Sequence, residues 1–338
     1  MTAAPTQIGY AARPFRDDDR AALVAIHNAD RPPHRHDTAA SWERMDARRK
    51  PGEVFLRLVV PDPATDRAVA ALNASDLNTT GFKMEDVCEF DIAVDPAHRG
   101  RGIGGMLYDQ AAGFARERSA KRMVTFFREA TPDAPGISFL TKRGFAEQER
   151  ETPSFLDLTT WDAAPYQNVL DRAAAYGAEI FTLEAIGDTD ANRHLYYDLE
   201  KPLIYDIPRR DEQPFTFEPY DDWLRFVVER PEWRPDLVLL AAKDGQWIGE
   251  CHIVPKLESP PVGMQWLTGV LDGHRGHGLA TALKVRAYQA ARAAGIEVVT
   301  TENHEDNGPM LAINRKFGFQ PEPAIVSYNK VLDAPEHP

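Results

Sequence analysis

The chain has 338 residues, 43% hydrophobic and 27% charged, an ordinary globular composition long enough for two domains. With 39 basic and 52 acidic residues the formal net charge is −13, which disfavours nucleic acid and anionic lipid surfaces as partners. Two cysteines, Cys88 and Cys251, exclude a disulfide scaffold or a multi-cysteine metal site, and no His, Cys or carboxylate cluster has metal-ligand spacing.

The first fifteen residues have no apolar core of a secretory signal. Tyr10–Phe15 then reads as a strand, and Asp17–Asn28 as an amphipathic helix opening on acidic caps. Val54–Val60, Ala68–Asn73 and Val87–Val94 read as strands. Apolar Ile103, Met106, Leu107, Ala111 and Phe114 recur at helical spacing, so a helix runs from about Gly102 to Arg118. Arg122–Phe127 is a strand, Ala134–Lys142 a short helix and Phe155–Trp161 the final strand of this half. Asp162–Gly177 joins the halves and holds a helix. Beyond it, Glu179–Ala185 is a strand, and Asp188–Leu199 and Tyr220–Glu229 are helices. Leu237–Ala242, Trp247–Ile253 and Gln265–Leu271 are strands. Gly278–Ala294 is a long helix, Glu297–Thr301 a strand, Pro309–Lys316 a helix and Pro323–Val331 the last strand. The longest apolar runs, such as Leu237–Ala242, fall far short of the roughly 18 residues of a membrane span. The expectation is a soluble, cytoplasmic protein.

The elements repeat. Residues 93–107 (AVDPAHRGRGIGGML) and 269–283 (GVLDGHRGHGLATAL) share six of fifteen positions at an offset of 176. Lys142-Arg143-Gly144-Phe145 returns as Lys316-Phe317-Gly318-Phe319 at an offset of 174. Two landmarks in register imply tandem copies of one α/β domain, with the division expected at 1–163 and 164–338.

The informative segment lies between an apolar strand and a helix in each copy. In the first it is Arg99-Gly100-Arg101-Gly102-Ile103-Gly104, and in the second Arg275-Gly276-His277-Gly278-Leu279-Ala280. Small residues let the backbone approach a ligand. Unpaired first-turn amides and the helix dipole favour an anion such as pyrophosphate, and the arginine adds charge. Gly100, Gly102 and Gly105 also fit the dinucleotide fingerprint, but several elements precede them, and Thr281 replaces the third glycine in the second copy. A Walker A lysine is absent.

These segments resemble the GNAT superfamily of N-acetyltransferases, whose [RQ]-x-x-G-x-[GA] motif both copies match in full. The later Lys-x-Gly-Phe is the family's next landmark. The resemblance covers most of each half, and the layout is similar to the two-domain acetyltransferases related to mycothiol synthase. It implies two mixed, mostly antiparallel twisted sheets flanked by helices, each with a splay between its fourth and fifth strands. It also implies acetyl-CoA as co-substrate, no metal, and a small-molecule amine as acceptor. The loops would hold the coenzyme, with Leu271 among its contacts, main-chain amides near Val94 and Val270 would bind the pantetheine and the thioester carbonyl, and the pantetheine arm would enter the splay. The amine would attack the thioester directly, so neither cysteine is needed as a nucleophile.

The copies are unequally equipped. The second has Thr301-Glu302-Asn303 and then Asn307, amides suited to pantetheine, where the first has Phe127-Arg128-Glu129 and Asp133. Many family members place a tyrosine four residues before the Gly of Gly-Phe as the thiolate's acid. Here those positions are Leu140 and Asn314, and Asn314 donates a hydrogen bond but is no acid. For the second copy, Tyr328 is either that acid or a strand aromatic, and Glu302 either a base or a solvated strand end. Glu250 and Asp272 are lesser candidates. In the first copy Glu89 and Asp91 share a strand face and either bind an amine or form an exposed polar face. His98 and His274 precede the motif arginines and either help to bind phosphate or are merely exposed. The second copy is expected to be catalytic and the first degenerate. A non-catalytic acyl-CoA-binding scaffold and a mycothiol-synthase-like enzyme are the competing readings. Acceptor contacts are expected from Asp30–Met45 and Leu195–Glu212.

Overall fold

The computed structural model describes residues 9–47, 49, 54–76, 86–129, 134–208, 217–257 and 261–332. In chain order, β1 (Arg13–Pro14) is followed by α1 (Arg20–Asn28), α2 (Ala39–Ala47), β2 (Phe55–Pro61), β3 (Ala68–Ser75) and β4 (Val87–Val94). Next come α3 (Ile103–Glu117), β5 (Arg122–Arg128), α4 (Pro135–Thr141), β6 (Ala146–Glu151) and β7 (Ser154–Asp157). Then follow α5 (Gln167–Ala175), β8 (Glu179–Thr182), α6 (Leu183–Ile186), α7 (Asp190–Tyr205) and α8 (Tyr220–Trp223). The chain continues with β9 (Val238–Lys243), β10 (Gln246–Pro255), β11 (Val262–Val270), α9 (Leu279–Ala293) and β12 (Val298–Thr301). It closes with α10 (Gly308–Phe317), β13 (Gln320–Pro321) and β14 (Ile325–Val331).

Most elements follow the sequence pattern, and the departures have local causes. The strand expected over Glu179–Ala185 stops at Thr182, whose hydroxyl accepts from the Ala185 amide and caps a helical turn. The helix expected over Tyr220–Glu229 continues past Trp223 as a π-turn, Leu224–Val228. Sequence reading missed α2, although Thr38 and Ser41 exchange hydroxyl–amide bonds of 3.0 Å at its start.

Each half builds a seven-stranded sheet. The first runs β1-β2-β3-β4-β5-β14-β6, and the second, read the same way, β8-β9-β10-β11-β12-β7-β13. The sixth place in each sheet is therefore filled by exchange. Phe155–Trp161, read as the closing strand of the first copy, contributes β7 to the second sheet, where Leu156 pairs with Val299. Pro323–Val331, read as closing the second copy, contributes β14 to the first sheet. By backbone contacts, unit 1 comprises Met1–Gln148 and Val326–Pro338, and unit 2 Glu149–Ile325, against the sequence division at 163/164.

The parallel neighbours that open the site are β4·β5 and β11·β12. β4 pairs with β5 only from Val87↔Arg122 to Glu89↔Val124. β11 pairs with β12 only from Val262↔Val298 to Met264↔Thr300. Beyond those residues the strands part, leaving backbone groups on both edges that need partners. In unit 2 alternate β9 residues fall in two apolar clusters, Leu239 and Ala241 with α5 and α9, Val238 and Leu240 with α7 and α8. That alternation places helices on both faces of the sheet. Among the described residues, no helix is long and apolar enough to cross a membrane.

Candidate functional site

Both glycine loops adopt the same backbone. Gly100 and Gly102 have φ of +75° and +81°, and Gly276 and Gly278 have +83° and +80°. A side chain there would be strained, which explains the glycines. Gly102 and Gly278 stand as N-caps of α3 and α9, so the first-turn amides of each helix start with no intrahelical partner.

The arginines of the motif fasten the loops. Arg275 donates from Nε to the Val270 carbonyl at 2.9 Å and from its terminal nitrogen to Asp206 at 2.5 Å. Arg99 donates to the Val94 carbonyl at 3.0 Å and to Asp30. Asp30 and Asp206, like Val94 and Val270, lie 176 residues apart, so the repeat includes an acidic partner that the sequence reading passed over. The carbonyls of Val94 and Val270 are thus taken by the loop arginines. A tyrosine braces each loop as well. Tyr176 contacts His274 Nδ1 at 2.9 Å and stacks on His277 at 3.7 Å, while Tyr10 accepts from Arg101 at 3.1 Å and meets the His98 ring edge-on. His98 also faces Asp62 at 3.2 Å.

Unit 2 has a cavity of about 550 Å³ against its loop. Of the expected residues, Val270, Arg275, Gly276, Gly278, Leu279, Ala280 and Asn307 line it. Ile103 and Gly104 occupy the positions of Leu279 and Ala280 in the first loop. Leu271, His277, Asn303 and Asn314 are not in the lining, and the Leu271 amide is already given to the Ile248 carbonyl at 2.9 Å. Asn307 caps α10 by accepting from the Met310 amide. Leu203, Asp206, Ile207 and Pro208 come from the expected acceptor segment, of which Arg209–Glu212 lie outside the described residues.

One residue of the lining was not foreseen. Arg172, on α5 in the segment read as a linker, also lines the cavity. Its guanidinium nitrogen lies 2.5 Å from where a Cβ on Gly278 would stand. No side-chain hydrogen bond or ion pair engages it among the described residues. An unpaired cation over a glycine at a helix N-terminus suits an anion. No spacing pattern marks it.

In unit 1 aromatic rings lie at the corresponding positions. By the 174 and 176 offsets, Phe139 and Gly104 correspond to Ile313 and Ala280, which line the cavity of unit 2. The Phe139 ring lies 3.4 Å from a Cβ built on Gly104. Phe127, in the place of Thr301, would overlap a Cβ on Gly136, at 2.2 Å. Asp133 lies outside the described residues.

The catalytic candidates scatter. Tyr328 is buried in β14 of the first sheet, which corrects its assignment to the second copy: the strand exchange carries it into unit 1. Glu302 is exposed and outside the cavity lining, and neighbouring Glu151 is raised to about 7 by burial first and by Glu302 second. Asp272 is exposed and pairs with Arg275 at 3.3 Å. Glu250 is fully buried, accepts from Tyr196 at 2.6 Å, and is pushed up by burial and by Glu200. In unit 1, Asp91 faces His27 at 3.7 Å. Both cysteines are buried, and burial raises the Cys88 and Cys251 thiols to about 12 and about 11, which leaves no thiolate nucleophile at neutral pH.

The model of the "Acetyltransferase (GNAT) family" matches residues 20–145 and 202–319, together more than half of the chain. A protein named mycothiol acetyltransferase from Beutenbergia cavernae is 28% identical over 292 residues, covering 86% of this chain and 89% of that one. A GCN5-related N-acetyltransferase from Sphaerobacter thermophilus superposes with a TM-score of 0.72 at 16% identity, covering 97% of both chains. A tandem GNAT protein from the clavulanic acid biosynthesis pathway gives 0.69 at 21% identity, covering 95% of this chain and 98% of that one. The two structures are alike in fold.

Proposed function

We infer the function of this chain from the family to which it belongs, the acetyltransferase (GNAT) family, and from the unequal build of its two units. It is an acyl-CoA-dependent N-acyltransferase with tandem GNAT domains. Within that class, our reading makes acetyl-CoA the co-substrate and unit 2 its site. The reading is supported by the left-handed Gly276 and Gly278, the first-turn amides of α9 and Arg172, which is unpaired among the described residues, a combination suited to pyrophosphate. The parted edges of β11 and β12 supply backbone groups for an extended polar arm. An acceptor amine then attacks the thioester carbon directly. The C–N bond forms as the C–S bond breaks, the electron pair leaves on sulfur and the amine's surplus proton goes to water.

The observation that carries this reading is the contrast between an open cavity beneath Arg172 in unit 2 and rings packed at Gly104 and Gly136 in unit 1. Unit 1 is accordingly read as a structural copy. The acceptor is read as a small-molecule primary amine in the cytoplasm, and a net charge of −13 favours a cationic one. Similarity along most of the chain to proteins named mycothiol acetyltransferase supports a mycothiol-related acceptor as the second reading. An amine panel assayed by release of free coenzyme A thiol tests both. Turnover of the mycothiol precursor alone favours the second, and turnover of simple cationic amines favours the first.

A further inference from the structure

Where β11 and β12 part, an ammonium group is buried among neutral oxygens. Lys284, on α9, has no exposed surface. Its Nζ donates to Asn314 Oδ1 at 2.7 Å, to Gln265 Oε1 at 2.9 Å and to the Tyr288 hydroxyl at 3.4 Å. Tyr288 donates to the same Gln265 oxygen at 2.6 Å. The Phe319 ring centroid lies 5.6 Å from Nζ. None of these partners carries a negative charge. Cys251, on the adjacent strand β10, is the other titratable neighbour, and burial keeps its thiol neutral to about 11. Burial also keeps the Tyr288 hydroxyl neutral well above its ordinary range.

A buried cation without a counter-charge is costly. A glutamine would offer two N–H donors without a charge, and a methionine would fill similar space with none. Burial lowers the Lys284 ammonium only to about 8, so it keeps its charge at neutral pH.

The network has a direction. Lys284 offers donors only, so the Asn314 oxygen must face it. That turns Asn314 Nδ2 outward, where it donates to Asn303 Oδ1 at 2.6 Å. The Asn303 oxygen is thereby occupied, and its Nδ2 forms the outer end of the chain. Asn303 is half-buried and outside the lining of the loop cavity, and it lies at the parted end of the strands, three residues beyond Thr300, the last β12 residue paired with β11. Hydrogen bonds in series polarise one another, so the lysine's charge strengthens the outermost donor. Unit 1 has Tyr108, Glu89, Leu140 and Glu129 at the positions of Lys284, Gln265, Asn314 and Asn303, and none of these can reproduce the relay.

We propose that Lys284 is a positioning residue for acyl transfer, whose charge, carried through Asn314 and Asn303, stabilises the coenzyme A thiolate released at the fork. The proposal rests on the reading of unit 2 as the acetyl-CoA site. Lys284 keeps its own proton throughout and acts by charge alone.

The test needs no acceptor. The ultraviolet absorbance of the thiolate is followed against pH for coenzyme A bound to wild type, Lys284→Gln and Asn303→Ala, with desulfo-coenzyme A titrated in parallel. Glutamine keeps a donor for the buried oxygens but removes the charge. Asn303→Ala alters only the half-buried outer end, so it serves if the first variant does not fold. The expected result is a bound thiol shifted down by at least about one pH unit in wild type, a tenfold gain in thiolate, and little or no shift in either variant. Desulfo-coenzyme A should bind all three alike. A bound thiol that titrates as free coenzyme A in wild type, or keeps its shift in both variants, overturns the inference alone. Failure of both coenzymes to bind overturns the reading of the site and the inference with it.

Discussion

Replacing Gly278 by alanine should damage coenzyme binding more than the same change at Gly276. Both positions have left-handed φ, +80° and +83°, so both variants carry a strain of about 1–2 kcal/mol. Their surroundings differ. A Cβ at Gly276 meets nothing within 4 Å, whereas one at Gly278 comes within 2.5 Å of an Arg172 guanidinium nitrogen. Gly278→Ala must therefore displace Arg172. A hydrogen bond to a charged group contributes about 1.5–3 kcal/mol, so Gly278→Ala should weaken acetyl-CoA by roughly tenfold to 150-fold beyond Gly276→Ala. Isothermal titration reads the dissociation constants and thermal melts read the shared strain. Arg172→Ala should reproduce the extra loss, and Gly278→Ala placed on it should add only the strain common to both glycines. Equal weakening by the two alanines, or an Arg172→Ala variant within twofold of wild type, would refute the role given to Arg172.

Three further outcomes are expected. His252 is wholly buried, and burial lowers it to about 3 from an ordinary 6.5. It is neutral in the folded protein, so its contribution to stability is present above about pH 6.5 and is lost as pH falls toward 3. His252→Gln should therefore lose about 2 kcal/mol less than wild type between pH 7 and pH 5 in denaturant titrations; parallel curves would contradict this. In unit 1, Phe127→Thr with Phe139→Ile should open the plugged position and give a second, weaker coenzyme site by titration, and unchanged stoichiometry would argue against the plug. Arg275 is about half exposed, so Arg275→Ala should cost no more than about 1 kcal/mol of stability. Its release of the Val270 carbonyl and Asp206 should nevertheless weaken acetyl-CoA, and a melt lowered with affinity intact would show the clamp to be structural only.

The repeat made the fold legible, because its two landmarks fall on the loop that opens α3 or α9 and on the turn that ends α4 or α10. Alternation and helical spacing placed most strands and helices within a few residues. What stayed hidden was long-range. Nothing in Ser154–Asp157 or Ile325–Val331 says which sheet will receive them, since an apolar strand pattern marks a strand but not its neighbours. Tyr328 was assigned to the wrong copy for that reason. The glycines of the site were readable because left-handed backbone demands them. Arg172 was not, because an arginine on a linker helix carries no pattern until the fold brings it over Gly278. Lys284 was hidden as well: a lysine in an amphipathic helix reads as solvated, and only the structure shows it enclosed.

The central claim is that acetyl-CoA occupies unit 2 at the Gly276–Gly278 loop. Calorimetric titration of acetyl-CoA into wild type, Gly102→Glu and Gly278→Glu tests it directly, since a glutamate at either loop sets an anion where pyrophosphate would lie. Wild type and Gly102→Glu should each bind one equivalent, and Gly278→Glu none. Full binding by Gly278→Glu, with binding lost in Gly102→Glu, would contradict it and move the chemistry to unit 1.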